Sequence, residues 1–280
     1  MNPLRSITSL LPQSILGTNT KCPLCLKTIN HEKKAEVQII KCKKCDIGIT
    51  SPPPKNTTST DLIWENSYSQ DRAKTRPIWI REAEKRLDWM HLWLPEGSIL
   101  ELGCGFGEFL EVASANGHDS YGIEPSPSGR KAAQDKSSAI IFESTEEWKH
   151  QNANLKVDAI AAWHAIEHLP DPIRTLKSIS DDLKKGGYFF GEIPNYKCKT
   201  AQELVTNWEH ANTDFHFHHF TSKSISKLFS AAKLEIIQTQ EITSRIYWSL
   251  KGWKQRKNDA LIQGFPFPDE ELLRIVARKR

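Results

Sequence analysis

Ile99-Leu100-Glu101-Leu102-Gly103-Cys104-Gly105-Phe106-Gly107 is the stretch on which the reading of this 280-residue chain turns. Its first residues are strand-like, and glycines clustered directly after a strand let a ligand approach the backbone at the carboxyl end of a sheet. Nucleotide and dinucleotide sites share that much, so the neighbouring residues must discriminate. The dinucleotide fingerprint asks for Gly or Ala at position 108, where this chain has Glu108. A carboxylate in that first helical turn repels a pyrophosphate, and Glu101 adds a second negative charge ahead of the loop. No Gly-Lys-Ser/Thr follows, which excludes a P-loop. Two carboxylates beside an open glycine loop suit a cationic ligand without phosphate.

Moving outward, strand and helix patterns alternate. Strands are expected at Ser98–Leu102, Ser120–Ile123, Ala139–Phe142, Val157–Ala162, Tyr188–Ile193, Leu234–Glu241 and Leu272–Lys279. Helices are expected at Ile78–Leu94, Gly107–Asn116, Ser128–Lys136, Pro172–Lys184 and Thr221–Ala232. Such alternation predicts an α/β fold with a mostly parallel sheet covered on both faces. The second strand ends in Glu124-Pro125, and an acidic residue about twenty positions past the first glycine is placed to accept hydrogen bonds from ribose hydroxyls. S-adenosylmethionine, with a sulfonium, an ammonium, a ribose and no phosphate, satisfies both readings.

The N-terminal part is organised differently. Cys22, Cys25, Cys42 and Cys45 form two C-x2-C pairs with sixteen residues between them. That spacing predicts a tetrahedral thiolate site for structural Zn2+ in a small zinc-ribbon module. Four cysteines leave no open coordination position for catalysis. Cys104 and Cys198 stand apart and are expected to be inert. The reading divides the chain into a tail (1–20), the knuckle (21–50), a linker (51–75) containing Pro52-Pro53-Pro54, and the main domain (76–280). Within that domain, 244–262 is expected to be an inserted helical segment. Hydrophobic residues at 38% and charged residues at 26% exclude a disordered chain and a membrane bundle. No run reaches the roughly 18 apolar residues of a membrane span, and residues 1–17 make a poor signal peptide, so a cytoplasmic location is expected. The net charge of +4 argues against nucleic acid as partner.

Together the glycine loop, Glu124 and the run Asp158 to Pro172 (DAIAAWHAIEHLPDP) resemble class I S-adenosylmethionine-dependent methyltransferases over about Leu87 to Lys279. The resemblance implies a seven-stranded, Rossmann-like methyltransferase sheet with one antiparallel strand near an edge. The preceding knuckle is similar to that of sugar C-methyltransferases. By position, Glu101, Gly103, Cys104, Gly105 and Gly107 would hold the methionine part, and Glu124 with Pro125 the ribose. Ser144-Thr145 would flank the adenine, and Trp163 and His164 would look into the cleft. Candidates for a base are His164, Glu167 and His168 after the fourth strand, and His216, His218 and His219 in a segment resembling the family's H-x-H-H-F-T/S. Of these, His216 aligns with the catalytic histidine of the sugar C-methyltransferases.

These readings imply transfer of a methyl group to a small-molecule acceptor: a sugar, a sugar nucleotide or a natural-product intermediate. An RNA methyltransferase that grips its substrate with the knuckle, and an inactive cofactor-binding scaffold, are the alternatives.

Overall fold

The cysteine turns sit in two hairpins. β1 (Gly17–Lys21) pairs antiparallel with β2 (Thr28–Glu32), and β3 (Gln38–Cys42) with β4 (Ile47–Ser51). The computed structural model describes residues 17–32, 34–54, 69–243 and 270–280. The expected insertion at 244–262 therefore lies outside the described residues, as do 1–16 and most of the expected linker. Regular structure nevertheless begins at Gly17, within the stretch expected to be tail.

The main domain continues with α1 (Ser69–His91), β5 (Ser98–Leu102), α2 (Glu108–Ala115), β6 (Asp119–Ile123), α3 (Pro127–Lys136), β7 (Ile140–Phe142), α4 (Thr145–Gln151) and β8 (Val157–Trp163). It is completed by α5 (Pro172–Ser180), β9 (Leu183–Pro194), α6 (Lys199–Leu204), β10 (His218–His219), α7 (Ser222–Ala231), β11 (Leu234–Ile242) and β12 (Leu272–Lys279). Seven strands form one sheet in the order β11-β12-β9-β8-β5-β6-β7. β12 runs antiparallel to both of its neighbours, and the pairs from β9 to β7 are parallel. The fold is the α/β architecture that the alternation predicts, with the seven strands and the antiparallel strand near one edge that the resemblance implies.

Period-two alternation explains how both faces are covered. Along β5, Ile99 joins the core beneath α1 and α2, while Leu100 and Leu102 join the core beneath α5 and α7. Phe190 and Phe189 on β9 divide in the same way. The knuckle is continuous with the second of these cores through Cys22, Cys42, Cys45, Ile47 and Ile49. It is also joined by backbone, because β4 pairs antiparallel with β10, His218 opposite Ile49 and His219 opposite Gly48.

Three boundaries differ from expectation. The first helix starts nine residues early, at Ser69, and runs through Pro77, which forgoes one backbone hydrogen bond. The expected helix to Lys184 ends at Ser180. The chain turns there because Leu183 pairs with Val157 in the sheet and is buried, so β9 begins five residues before Tyr188. α4 was not expected, yet Ser144-x-x-Glu147 is an N-terminal capping pattern. The Ser144 hydroxyl accepts from the Glu147 amide at 3.1 Å, and the helix buries Trp148 completely.

Candidate active site

β6 and β8 lie on opposite sides of β5, so the chain reverses its direction of progress across the sheet at β5. A crevice opens at the carboxyl ends of strands at such a point. The glycine loop fills one wall. Gly103 and Gly107 have φ of +71° and +78°, in the left-handed region where a β-carbon is disfavoured. At Gly107 a β-carbon would also fall 2.8 Å from Ala133, so α2 and α3 close together only over glycine.

The Glu124 carboxylate ties this wall together. One oxygen accepts from the Gly105 amide at 2.8 Å and the other from the Ser126 amide at 2.9 Å. The carboxylate thereby stands at the end of β6, beside the glycine loop. Glu101 is buried, its Oε2 makes no hydrogen bond, and burial raises its pKa well above the usual carboxylate range. A buried acceptor without a partner at the strand end, together with the glycine cradle and Glu124, fits a ligand carrying an ammonium and a ribose diol. Cys104 lies in the loop with its thiol buried and its pKa pushed up by desolvation, as befits an inert residue. Pro125 extends the chain from Glu124 to the Ser126 cap of α3. Ser144 caps α4, so its hydroxyl serves the backbone.

Two expectations about this wall need correction. Glu108 does not present a free charge: Arg72 of α1 grips it at 3.0 and 3.1 Å. The guanidinium overcomes the cost of burial and holds the Glu108 pKa down. The case against pyrophosphate therefore rests on Glu101 alone. Trp163, expected in the cleft, is 6% exposed and lies edge-on to Phe109 and Trp89, with the Arg86 guanidinium 5.1 Å from its ring. The indole belongs to the packing between α1 and the sheet.

The opposite wall begins where β8 ends. His164 has φ of +54°, an uncommon conformation for a side-chain-bearing residue, and its amide donates to the Glu192 carbonyl at 2.8 Å. Its ring lies between two carboxylates, 3.5 Å from Glu167 and 3.4 Å from Glu192. They outweigh burial and raise its pKa to about 8, which favours the protonated ring at neutral pH. Glu192 is held in turn by Arg86 and Arg274, each at 2.6 Å.

A 3-10 turn, Ile166–His168, then sets Glu167 and His168 beside the segment from His210 to Phe217. The Phe217 amide donates to the Glu167 carbonyl at 2.9 Å, and the rings of His168 and His216 meet edge to face with centroids 4.5 Å apart. His216 Nδ1 donates to the His210 carbonyl at 3.0 Å, which fixes the tautomer and leaves the lone pair on Nε2. Desolvation holds His216 well below the usual histidine range, so it is neutral. Ligand atoms of Glu167, His168 and His216 all lie within 4.8 Å of one another.

The expected run of three histidines does not act together. His219 Nε2 hydrogen-bonds Thr50 of β4 at 2.9 Å, and His218 is buried on β10. Burial lowers their pKa values to about 3 and about 4. Only His216 of that run joins Glu167 and His168. Arg72, Arg86, Glu192, Arg274 and Thr50 escaped the sequence reading; each reaches its partner from a distant part of the chain, and no local pattern marks them.

The four knuckle cysteines also converge, with their sulfurs within 4.8 Å of one another. Cys25 and Cys42 Sγ are 3.9 Å apart. Sulfurs about 2.3 Å from a tetrahedral ion lie about 3.8 Å from each other, whereas a disulfide needs about 2.05 Å. The set therefore fits a four-thiolate metal.

Comparison with known proteins agrees with this geometry. Residues 76–239 match the family model described as a methyltransferase domain. The ubiquinone biosynthesis O-methyltransferase of Idiomarina loihiensis is 25% identical over 176 residues, which are 58% of this chain and 70% of that enzyme. Other curated relatives of the same kind are matched over about half their length. Among solved structures, an S-adenosylmethionine-dependent methyltransferase from Thermotoga maritima superposes with a TM-score of 0.54 at 20% identity, covering 80% of this chain and 100% of that one. The 1,6-didemethyltoxoflavin N1-methyltransferase of Burkholderia thailandensis gives 0.54 at 16% identity, covering 88% and 99%. With more than half of its length matched by the family model and the sheet order intact, the chain belongs to the methyltransferase-domain family and is an S-adenosylmethionine-dependent methyltransferase.

Proposed function

We propose that the chain methylates a small-molecule acceptor bound between the glycine loop and the Glu167–His168–His216 cluster. The observation that carries this reading is the cluster itself, polar and neutral at its imidazoles, at the end of β8 and across the crevice from Glu101 and Glu124. S-adenosylmethionine supplies an electrophilic methyl group on a sulfonium when bound. Glu101 receives its ammonium, Gly103, Cys104, Gly105 and Gly107 line its methionine part, and Glu124 with Pro125 holds the ribose. Since methyl transfer is an in-line displacement, the main task of the protein is to align acceptor and methyl group. His168 and His216 turn neutral imidazoles toward the acceptor, and His164 stands beside Glu167 on its other side. An oxygen acceptor is favoured by the curated relatives, which are O-methyltransferases of ubiquinone biosynthesis. The knuckle holds a structural zinc and supports β10 through β4.

Calorimetry with S-adenosylmethionine and S-adenosylhomocysteine, and NAD as control, tests the cofactor half. Micromolar binding of the first two and none of NAD is expected. Glu124→Ala should weaken both by at least about tenfold, since it removes charge-assisted hydrogen bonds and releases the loop. Undiminished affinity in that variant would remove Glu124 from the ribose site.

A further inference from the structure

Glu167 is 1% exposed, and neither of its carboxylate oxygens makes a hydrogen bond among the described residues. Its one ionic neighbour given by the structure is His164, at 3.5 Å. Leaving a carboxylate so poorly satisfied in the interior costs several kcal/mol unless something else engages it. What faces it are two imidazoles on independent elements, His168 from the same 3-10 turn and His216 from the segment before β10. His216 donates its Nδ1–H to the His210 carbonyl, and the Phe215 carbonyl lies against His168. Backbone carbonyls behind two imidazoles are the outer partners that orient histidine ligands and fix which nitrogen is free. One carboxylate and two histidines bring ligand atoms within 4.8 Å of one another, and the far side of each imidazole is tied to backbone.

Resting on the methyltransferase reading above, we infer that Glu167, His168 and His216 bind a first-row divalent cation, such as Mn2+ or Zn2+, that holds an oxygen of the methyl acceptor. The ligand set decides the class of ion. Imidazole suits Zn2+, Fe2+ and their neighbours, a carboxylate is compatible with all of them, and thiolate is absent. Mg2+ and Ca2+ prefer all-oxygen sites and are disfavoured. Three protein ligands from one wall leave the remaining positions facing the crevice, where the acceptor enters opposite the glycine loop. An acceptor hydroxyl there binds through oxygen, and the cation lowers its pKa as it does that of bound water. The proton passes to water, because both imidazole lone pairs are engaged. The acceptor oxygen then forms its bond to the methyl carbon as the carbon–sulfur bond breaks, and that electron pair stays on sulfur. An acceptor with two adjacent oxygens fills two positions and is bound better than its singly hydroxylated analogue.

Mn2+ distinguishes this site from the knuckle, because it favours oxygen and nitrogen over four thiolates. The experiment titrates the zinc-loaded chain with Mn2+ and follows loss of the free-ion electron paramagnetic resonance signal. One micromolar site is expected. Glu167→Gln, which keeps shape and removes charge, and His216→Phe should each weaken it by at least about tenfold, the loss that even an outer partner produces. His150→Asn, an exposed histidine of α4, should leave it unchanged. S-adenosylhomocysteine affinity serves as the control for folding and for the parent reading, and Glu167→Gln should retain it within about twofold. No Mn2+ site below millimolar in a chain that binds S-adenosylhomocysteine overturns the inference. Equal Mn2+ affinity in Glu167→Gln overturns it too. A chain that fails to bind S-adenosylhomocysteine as well would instead discredit the cofactor site.

Discussion

Replacing Thr50 by valine tests whether the knuckle and the acceptor wall are one structure. Thr50 lies on β4 and is 2% exposed. Its hydroxyl donates to the His216 carbonyl at 2.6 Å and accepts from His219 Nε2 at 2.9 Å, and its amide donates to the Phe217 carbonyl at 3.1 Å. Valine keeps the volume and the amide but strands a buried carbonyl and a buried imidazole N–H. Each stranded group costs about 1–3 kcal/mol, so the variant should lose about 2–6 kcal/mol. Thr50→Ser keeps the hydroxyl, gives up one methyl group, and should lose about 1 kcal/mol. Urea unfolding of the zinc-loaded chain, followed by tryptophan fluorescence, reads the difference. At a slope of about 3 kcal/mol per molar, valine should lower the midpoint by about 0.7–2 M and serine by about 0.3 M. Valine and serine variants with the same midpoint would refute the coupling, because the hydroxyl alone separates them.

Two further outcomes are expected. Elemental analysis should find one zinc per chain at the cysteines, and a strong chelator should release it and dissolve β3 and β4 while S-adenosylhomocysteine still binds. A folded, metal-free knuckle would exclude structural zinc. On the opposite end of the sheet, His118 Nδ1 contacts the Gly97 carbonyl and its Nε2 lies 3.0 Å from His91 Nε2. Desolvation lowers the His118 pKa below its usual 6.5, so the folded chain binds fewer protons than the unfolded one. That contribution to stability is complete above about pH 6.5 and declines as the pH falls through the folded pKa. His118→Gln should flatten this limb of the stability profile, and an unaltered limb would assign it to other groups.

The parallel sheet was legible because β5, β7 and β8 are short, largely apolar runs set between helical patterns, so local pattern and tertiary role coincide. β5 and β12 match their expected spans at both ends. The glycine loop and Glu124 were legible for a related reason: they lie about twenty residues apart on adjacent strands, and the fold fixes that distance. The knuckle was readable from spacing alone, because C-x2-C sets two sulfurs on one turn. The acceptor wall was legible only in part. Glu167, His168 and His216 were all named as candidates, and only the family resemblance, not the local pattern, set His216 apart from His218 and His219. The difference appears only when β4 captures His219 and pairs with β10, and that pairing joins positions some 170 residues apart. Glu108 misled for the same reason, since its partner Arg72 lies on a helix that the sequence began too late.

A buried cluster of charges gives this long-range ordering its physical form. Glu192 on β9 is fully buried and receives Arg86 from α1, Arg274 from β12 and His164 from the end of β8. Glu82, one helical turn before Arg86, faces both arginines. Burying such groups is costly, and packed hydrophobic side chains of the same volume would stabilise the fold at least as well. What apolar packing cannot do is fix direction. Hydrogen-bonded guanidinium groups set the Glu192 carboxylate, the carboxylate and the Glu192 carbonyl set His164, and His164 at its left-handed backbone faces Glu167. The arginine bonds to Glu192 and the bond from the His164 amide to the Glu192 carbonyl are short and directional, and the His164–Glu167 ion pair at 3.5 Å carries that order on to the Glu167 carboxylate. The orientation of the acceptor wall is therefore a property of the whole sheet, carried to the crevice through charge pairs that a survey of conspicuous motifs passes over.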